Sequence, residues 1–242
     1  MSHTPDPQTH GNSAAAADPA GATRPGAAAS SEASDDASSE RIALIGASGN
    51  AGSALLAELS ARGYAVTAIA RNPERIARLP GVTPVAGDAG DVDALSRSIA
   101  GHAAVISALR FADSTPEALI GAVRAAGVRR YLVVGGAASL TGPDGTRVFD
   151  SPGFPAAYRT EAAGGIAFLD ALRAVDDIDW TFVSPSAEFI EGPRTGRFRI
   201  GGDQLLADAD GRSWIGFADY AIALVDVLAQ DAHLRERITV GY

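Results

Sequence analysis

The chain contains no cysteine among its 242 residues, which excludes disulfides, thiolate nucleophiles and thiolate metal sites. It also lacks any apolar run near the ~18 residues that a membrane span needs, and its amino terminus has no basic start followed by an apolar stretch. Basic charge is scarce: 20 Lys and Arg face 29 Asp and Glu, for a formal net charge of −9. Nothing in that balance suits nucleic acid or an anionic membrane, so neither is expected as a partner. The histidines His3, His10, His102 and His233 are scattered and the carboxylates show no ligand spacing, so no metal site is expected. These absences together predict a soluble, cytoplasmic protein.

A second absence divides the chain. Residues 1–40 contain no Leu, Ile, Val, Phe, Trp or Tyr and consist almost entirely of Ala, Ser, Gly, Pro, Asp and Thr. Such a segment cannot bury enough apolar surface to offset its ordering entropy, so a disordered acidic tail is expected over 1–40. It holds Asp6, Asp18, Glu32, Asp35, Asp36 and Glu40 against Arg24 alone. The folded domain is expected over 41–242.

What is present begins at Arg41. The run Arg-Ile-Ala-Leu-Ile breaks into Gly46-x-x-Gly49-x-x-Gly52 and then into a helical pattern, the strand, glycine turn and helix of a dinucleotide cradle. Gly46 permits the sharp turn, Gly49 permits close approach of a pyrophosphate, and Gly52 permits close helix packing. Helix N-terminal N–H groups face the phosphates in such a turn, so Ser48, Asn50 and Ala51 join the expected cofactor contacts.

Apolar strand patterns then alternate with helical ones: Val66 to Ala70, a short helix opened by Asn72-Pro73, Val82 to Val85, a helix capped by Asp91, and Ala103 to Ala108. Thr115-Pro116 opens the next helix, Tyr131 to Val134 is a strand, and a helix over 156–174 leads to the strand Trp180 to Val183. The stretch Gly192 to Ile215 reads as a hairpin, followed by a helix over 218–230 and a last strand, Arg237 to Val240. Repeated β-α-β order predicts an α/β fold, a Rossmann-type doubly wound parallel sheet in a single domain.

Ligands of such sheets bind beyond the carboxyl ends of the strands. That rule selects Ser107 to Arg110, Gly135 to Ser139, and Ser184 to Ser186, and it sends His102 to the opposite edge. NAD enzymes usually place an acid about 20 residues past the glycines, on the ribose hydroxyl. Here that place holds Arg71, which suits a 2′-phosphate, so NADP is preferred over NAD. Asp88 and Ala89 follow the third strand, with Asp88 either accepting from the adenine amino group or capping the next helix.

The segments Ile-Ala-Leu-Ile-Gly-Ala-Ser-Gly-Asn-Ala-Gly, Ala-Arg-Asn-Pro-Glu-Arg-Ile, Val-Val-Gly-Gly-Ala-Ala-Ser-Leu, Val-Ser-Pro-Ser, Gly-Pro-Arg-Thr-Gly-Arg-Phe-Arg and Asp-Tyr-Ala-Ile-Ala-Leu together resemble an atypical short-chain dehydrogenase/reductase. The likeness is to the NmrA-like NAD(P)-binding group, with its flavin and biliverdin-IXβ reductases, and it covers 41–242. It implies a Rossmann fold, NAD(P)H and hydride transfer. The usual catalytic Tyr-x-x-x-Lys is broken: Tyr158 is followed four residues on by Ala162. Without the ammonium, a tyrosine of pKa near 10 is a poor base at neutral pH, though Tyr158 can still donate a proton or simply pack.

Transfer to a flavin, quinone or conjugated carbonyl demands less of the protein, because the cofactor carries the chemistry. Ser139 and Tyr158 are the candidate catalytic groups. Ser107, Ala137, Pro185 and Ser186 are expected around them, Ser107, Ala108, Ser184 and Pro185 are also expected cofactor contacts, and Phe111, Phe154 and Phe189 are either an aromatic wall or core. Arg194, Arg197 and Arg199 either meet an anionic substrate or pair with Glu191, Asp203 or Asp208. The expected partner is a small-molecule hydride acceptor, with FMN among the possible substrates, and the expected state is monomer or homodimer. The competing reading is a noncatalytic NADP(H)-binding regulatory or interaction protein.

Overall fold

Strand β1 (Arg41–Ile45) buries everything after its first residue, with Ile42 and Leu44 facing one side of the sheet and Ala43 and Ile45 the other. A computed structural model describes residues 40–242; the expected tail, apart from Glu40, lies outside the described residues. Helix α1 (Asn50–Ala61) follows the glycine turn and buries Leu55, Leu56 and Leu59. Gly63, at φ +81°, takes the left-handed conformation that ends it.

Strands β2 (Ala65–Ala70) and β3 (Val82–Ala86) are joined without an α-helix, by a single 3-10 turn at Pro73–Arg75 that Asn72 does not cap with its side chain. Asp91 caps α2 (Val92–Ile99), its carboxylate accepting from Ala94 N at 3.0 Å. Strand β4 (Ala104–Ser107) leads to α3 (Pro116–Ala125), where the Thr115 hydroxyl accepts from Ala118 N and Pro116 takes the first helical position. Then come β5 (Arg130–Val134), α4 (Arg159–Arg173), β6 (Asp179–Pro185), β7 (Glu188–Ile190), β8 (Arg199–Gly201), β9 (Trp214–Gly216), α5 (Phe217–Ala229) and β10 (Glu236–Gly241).

The main sheet runs β3-β2-β1-β4-β5-β6-β10-β8, parallel throughout except for β8 against β10. Strand order reverses between β1 and β4, the switch point of a doubly wound sheet. Helices α1 and α5 cover one face, through Leu55, Leu59, Tyr220 and Leu224 among others. Helices α2, α3 and α4 cover the other, through Leu95, Val123, Phe168 and Leu172. Residues 40–242 are therefore a Rossmann-like α/β domain.

The hairpin expected within Gly192–Ile215 does not form. Its first strand, β8, pairs antiparallel with β10 at Ile200↔Val240, and its second, β9, pairs parallel with β7 at Phe189↔Ile215. Alternation of Arg with Phe and Ile marks a strand and its wet face but carries no information about the ladder partner.

Candidate active site

The three glycines differ in what holds them. A Cβ on Gly46, at φ +83°, would lie 2.6 Å from Ala108 O, and one on Gly52 would lie 2.1 Å from Gly46 O. Both positions are closed by the protein's own backbone. A Cβ on Gly49 would meet nothing nearer than Gly46 O at 3.5 Å, an ordinary contact. Gly49 instead borders a cavity of about 180 Å³, lined also by Gly46, Ser48, Arg71, Asp88, Ala89, Ala108, Arg110 and Asp113. Packing therefore does not demand glycine at Gly49, and the backbone there is open to a ligand's approach, as the cradle of a dinucleotide requires.

Asn50 and Ala51 form the first turn of α1 and do not line this cavity. Arg71 is exposed at its rim and has no ion-pair partner among the described residues. Asp88 does not cap α2: its carboxylate accepts from Gly90 N at 2.9 Å, and capping falls to Asp91.

A larger cavity, about 690 Å³, opens on the same sheet edge beyond β5 and β6. Phe111, Ala137, Ser139, Phe154, Tyr158, Glu161, Ala162, Pro185, Ser186 and Phe189 are among its lining residues. The segment Arg110–Asp113 serves both spaces, with Arg110 and Asp113 on the smaller and Phe111 on the larger. Phe111 and Phe189 are wall and core at once, whereas Phe154 is a half-buried wall residue outside both core clusters. Phe111 lies 5.5 Å from Phe168 and 6.0 Å from Phe182, Phe154 lies 5.4 Å from Phe149, and Phe189 lies 4.6 Å from both Phe217 and Tyr220.

Ser139 sits in the 3-10 turn Ala137–Ser139 and accepts from Arg237 Nη1 at 3.3 Å. Tyr158 is 65% exposed and its hydroxyl has no hydrogen bond among the described residues. Arg159 does not turn to it, its guanidinium lying over the rings of Phe149 at 5.1 Å and Phe154 at 5.8 Å. All 20 basic residues of the chain are arginine, so no lysine from elsewhere can replace the one missing from Tyr-x-x-x-Lys.

Glu161 has no place in the sequence reading, yet it braces the site. Its carboxylate accepts from Phe111 N at 2.8 Å and Ala112 N at 2.9 Å, tying α4 to the segment that both cavities share. The available signal was its position one helical turn beyond Tyr158.

Two expected site serines are corrected as side chains. Ser107 lies at the carboxyl end of β4, but its hydroxyl is buried and bonded to Tyr131 OH at 2.9 Å, and it lines neither cavity. Burial also pushes the Tyr131 phenol far above its ordinary value. Ser184 is fully buried in β6, and its hydroxyl has no partner among the described residues. Their neighbours differ: Ala108 lines the smaller cavity and Pro185 the larger, because alternation along a strand sends successive residues to opposite faces.

His102 is a buried packing residue, its ring nitrogens within 2.9 Å of Ile99 O and 2.7 Å of Thr67 Oγ1. His233 meets Glu236 at 2.9 Å. No group of three potential metal ligands occurs among the described residues.

Arg194 does not take any of the expected partners Glu191, Asp203 and Asp208. It pairs with buried Glu58 of α1 at 3.0 Å, while Arg199 bonds the carbonyls of Ala207 and Tyr242. Beside Arg194, Asp219 is fully buried and accepts from Thr195 N at 2.8 Å, Gly196 N at 2.9 Å, Tyr242 OH at 2.8 Å and the Thr195 hydroxyl. The segments Gly-Pro-Arg-Thr-Gly and Asp-Tyr-Ala-Ile-Ala-Leu are thus two halves of one structural tie.

The profile of the NAD(P)H-binding family matches residues 46–231. The "Uncharacterized protein YwnB" of Bacillus subtilis is 39% identical over 210 residues, covering 83% of this chain and 97% of that protein. A solved structure from Bacteroides thetaiotaomicron, named a "putative epimerase", is 40% identical with a TM-score of 0.79, over 84% of this chain and 97% of that one. A third, from Streptococcus pneumoniae and named a "putative NADH-flavin reductase", is 34% identical with a TM-score of 0.71, over 84% and 99%.

Proposed function

The chain belongs to the NAD(P)H-binding family, and we propose that it is an NADPH-dependent reductase delivering hydride to a flavin, quinone or other conjugated carbonyl compound. The observation that carries this is the pairing of two spaces on one sheet edge, a glycine-walled cradle whose Arg71 has no ion-pair partner among the described residues and a larger cavity walled in part by aromatic rings. When bound, NADPH supplies hydride from its nicotinamide. Gly49 gives the pyrophosphate a close backbone approach, and Arg71 meets the 2′-phosphate with charge-assisted hydrogen bonds. Asp88, already turned to Gly90 N, keeps a carboxylate oxygen free toward the adenine side. Phe111, Phe154 and Phe189 suit a flat conjugated acceptor and keep water from its faces, and Ser139 offers it a hydroxyl. The name of the pneumococcal relative agrees with a flavin as acceptor. A reductase of this kind needs a supply of NADPH, which agrees with the cytoplasm expected from the sequence.

An epimerase, the name carried by the Bacteroides relative, needs a base at the reacting carbon. Tyr158 has no cation to activate it, and both oxygens of Glu161 are engaged by backbone N–H groups. Those same features leave one further reading, a noncatalytic NADP(H)-binding regulatory or interaction protein.

The test is NADPH oxidation with FMN, menadione and aldehydes. Turnover on at least one acceptor is expected; tight NADP(H) binding with no turnover on any of them favours the regulator. Arg71→Asp should reduce the NADPH over NADH preference by roughly tenfold or more, the worth of hydrogen bonds to a charged group. An unchanged preference refutes the 2′-phosphate assignment.

A further inference from the structure

Behind the hydroxyl of Ser139 lies a nearly buried cation. The Arg237 side chain, reaching from β10, is only 5% exposed. Its Nη1 lies 3.3 Å from Ser139 Oγ, its Nε lies 2.6 Å from Asp203 Oδ1, and its Nη2 bonds the same carboxylate oxygen. The backbone keeps these groups together: Thr141 N donates to Asp203 O and Leu205 N donates to Thr141 O, each at 2.9 Å. The chain leaving Ser139 is thereby laddered onto the segment that carries Asp203.

A guanidinium has donors and no acceptor, so at this contact Ser139 Oγ can only accept. Its own hydrogen is then committed to no protein group, since Ser139 Oγ makes no other hydrogen bond among the described residues. Ser139 lines the larger cavity, so that hydrogen's partner is whatever occupies the cavity. The other charged groups there are engaged: Glu161 by the Phe111 and Ala112 N–H groups, and Glu188 by Arg212. Tyr158, the remaining titratable group of the lining, has no partner among the described residues.

We propose that Arg237 is a positioning residue that makes Ser139 an obligate hydrogen-bond donor to an oxyanion forming on the acceptor. The proposal rests on the reductase reading. Hydride brings two electrons and one hydrogen to the conjugated system, and the carbonyl π pair moves onto oxygen. NADPH becomes NADP⁺, and the oxygen later takes a proton from water. At the moment of transfer the negative charge meets the Ser139 hydrogen, with the Arg237 cation behind it.

The experiment uses no turnover. The full-length protein with NADP⁺ is titrated with 4-nitrophenol, whose coloured phenolate reports its own ionisation when bound. An oriented donor backed by a cation favours the phenolate, so the bound phenol should ionise about one pH unit below its free value, a tenfold shift. Ser139→Ala and Arg237→Gln should each abolish the shift, the double variant should add nothing further, and Arg237→Lys should retain part of it. Ser139→Ala is the smaller change and keeps the test open should Arg237→Gln fail to fold. Absence of binding or an unshifted phenol in the wild type overturns the inference. So does an Arg237→Gln protein that melts earlier but keeps the shift, since the arginine is then only a structural tie. A normal shift in a protein that reduces no acceptor leaves this donor intact and defeats the reductase reading instead.

Discussion

A methyl group added at Gly52 lands 2.1 Å from Gly46 O, whereas one added at Gly49 meets no atom closer than 3.5 Å. Gly49 also has φ −79° and ψ 172°, an extended conformation open to any residue. Gly52→Ala should therefore destabilise the fold by roughly 1–3 kcal/mol through overpacking. Gly49→Ala should melt like the wild type yet bind NADPH on the order of tenfold more weakly, because its methyl group occupies the cradle. Thermal melts and NADPH fluorescence titrations check both; wild-type NADPH affinity in Gly49→Ala would falsify the cradle assignment. Residue spacing made Gly46 and Gly52 legible, since their demand is on the backbone. Ser107 and Ser184 were legible only as positions at strand ends. Which way a hydroxyl points depends on the neighbouring strand, and for Ser107 that neighbour is Tyr131.

Between elements, Asp219 ties the Arg194–Gly196 loop to the first turn of α5 and to Tyr242. Burial alone pushes its carboxyl upward, but hydrogen bonds from the Thr195 hydroxyl, the Gly196 and Thr195 N–H groups and the Tyr242 phenol outweigh it, and the pKa lies below the ordinary carboxylate value. The stabilisation is fully present above the unfolded-state value of about 4 and is lost as pH falls through the lower folded value. Asp219→Asn should accordingly flatten the acid side of the stability profile. Asp219→Ala, which strands buried donors, should cost about 3 kcal/mol at pH 7. Chemical denaturation at pH 7 and near pH 3 measures both, and an Asp219→Asn protein with the wild-type acid slope refutes the role. This tie was not legible beforehand, although both halves were visible as motifs. Helix caps such as Asp91 and Thr115 are local chemistry and were read correctly, whereas the partners of Asp219, Arg194 and β8 lie far along the chain.

Over the whole molecule, the β-α-β rhythm from β1 to β6 was enough to predict the parallel sheet, because each crossover has one favoured hand and neighbouring strands tend to pair. Strands β7, β8 and β9 have three residues each and pair outside the β-α-β order, so even β8, which its alternation marks as a strand, escaped that logic. They matter because Glu188 and Phe189 of β7 help to close the larger cavity. The two cavities share only the Arg110–Asp113 segment, and the proposed reductase reading therefore predicts which kinetic constants separate. Phe154→Ala removes one wall of the larger cavity and should raise the acceptor KM roughly tenfold, the scale of a buried aromatic contact, while leaving NADPH affinity unchanged. Arg71→Ala should do the reverse. Glu161→Gln should disturb both, because an amide cannot accept from Phe111 N and Ala112 N through both of its terminal atoms, and the shared segment loosens. Bisubstrate steady-state kinetics with menadione, paired with NADPH binding, distinguishes the three patterns. If Phe154→Ala weakens NADPH as much as the acceptor, the two spaces are one site, and the division between cradle and acceptor cavity fails.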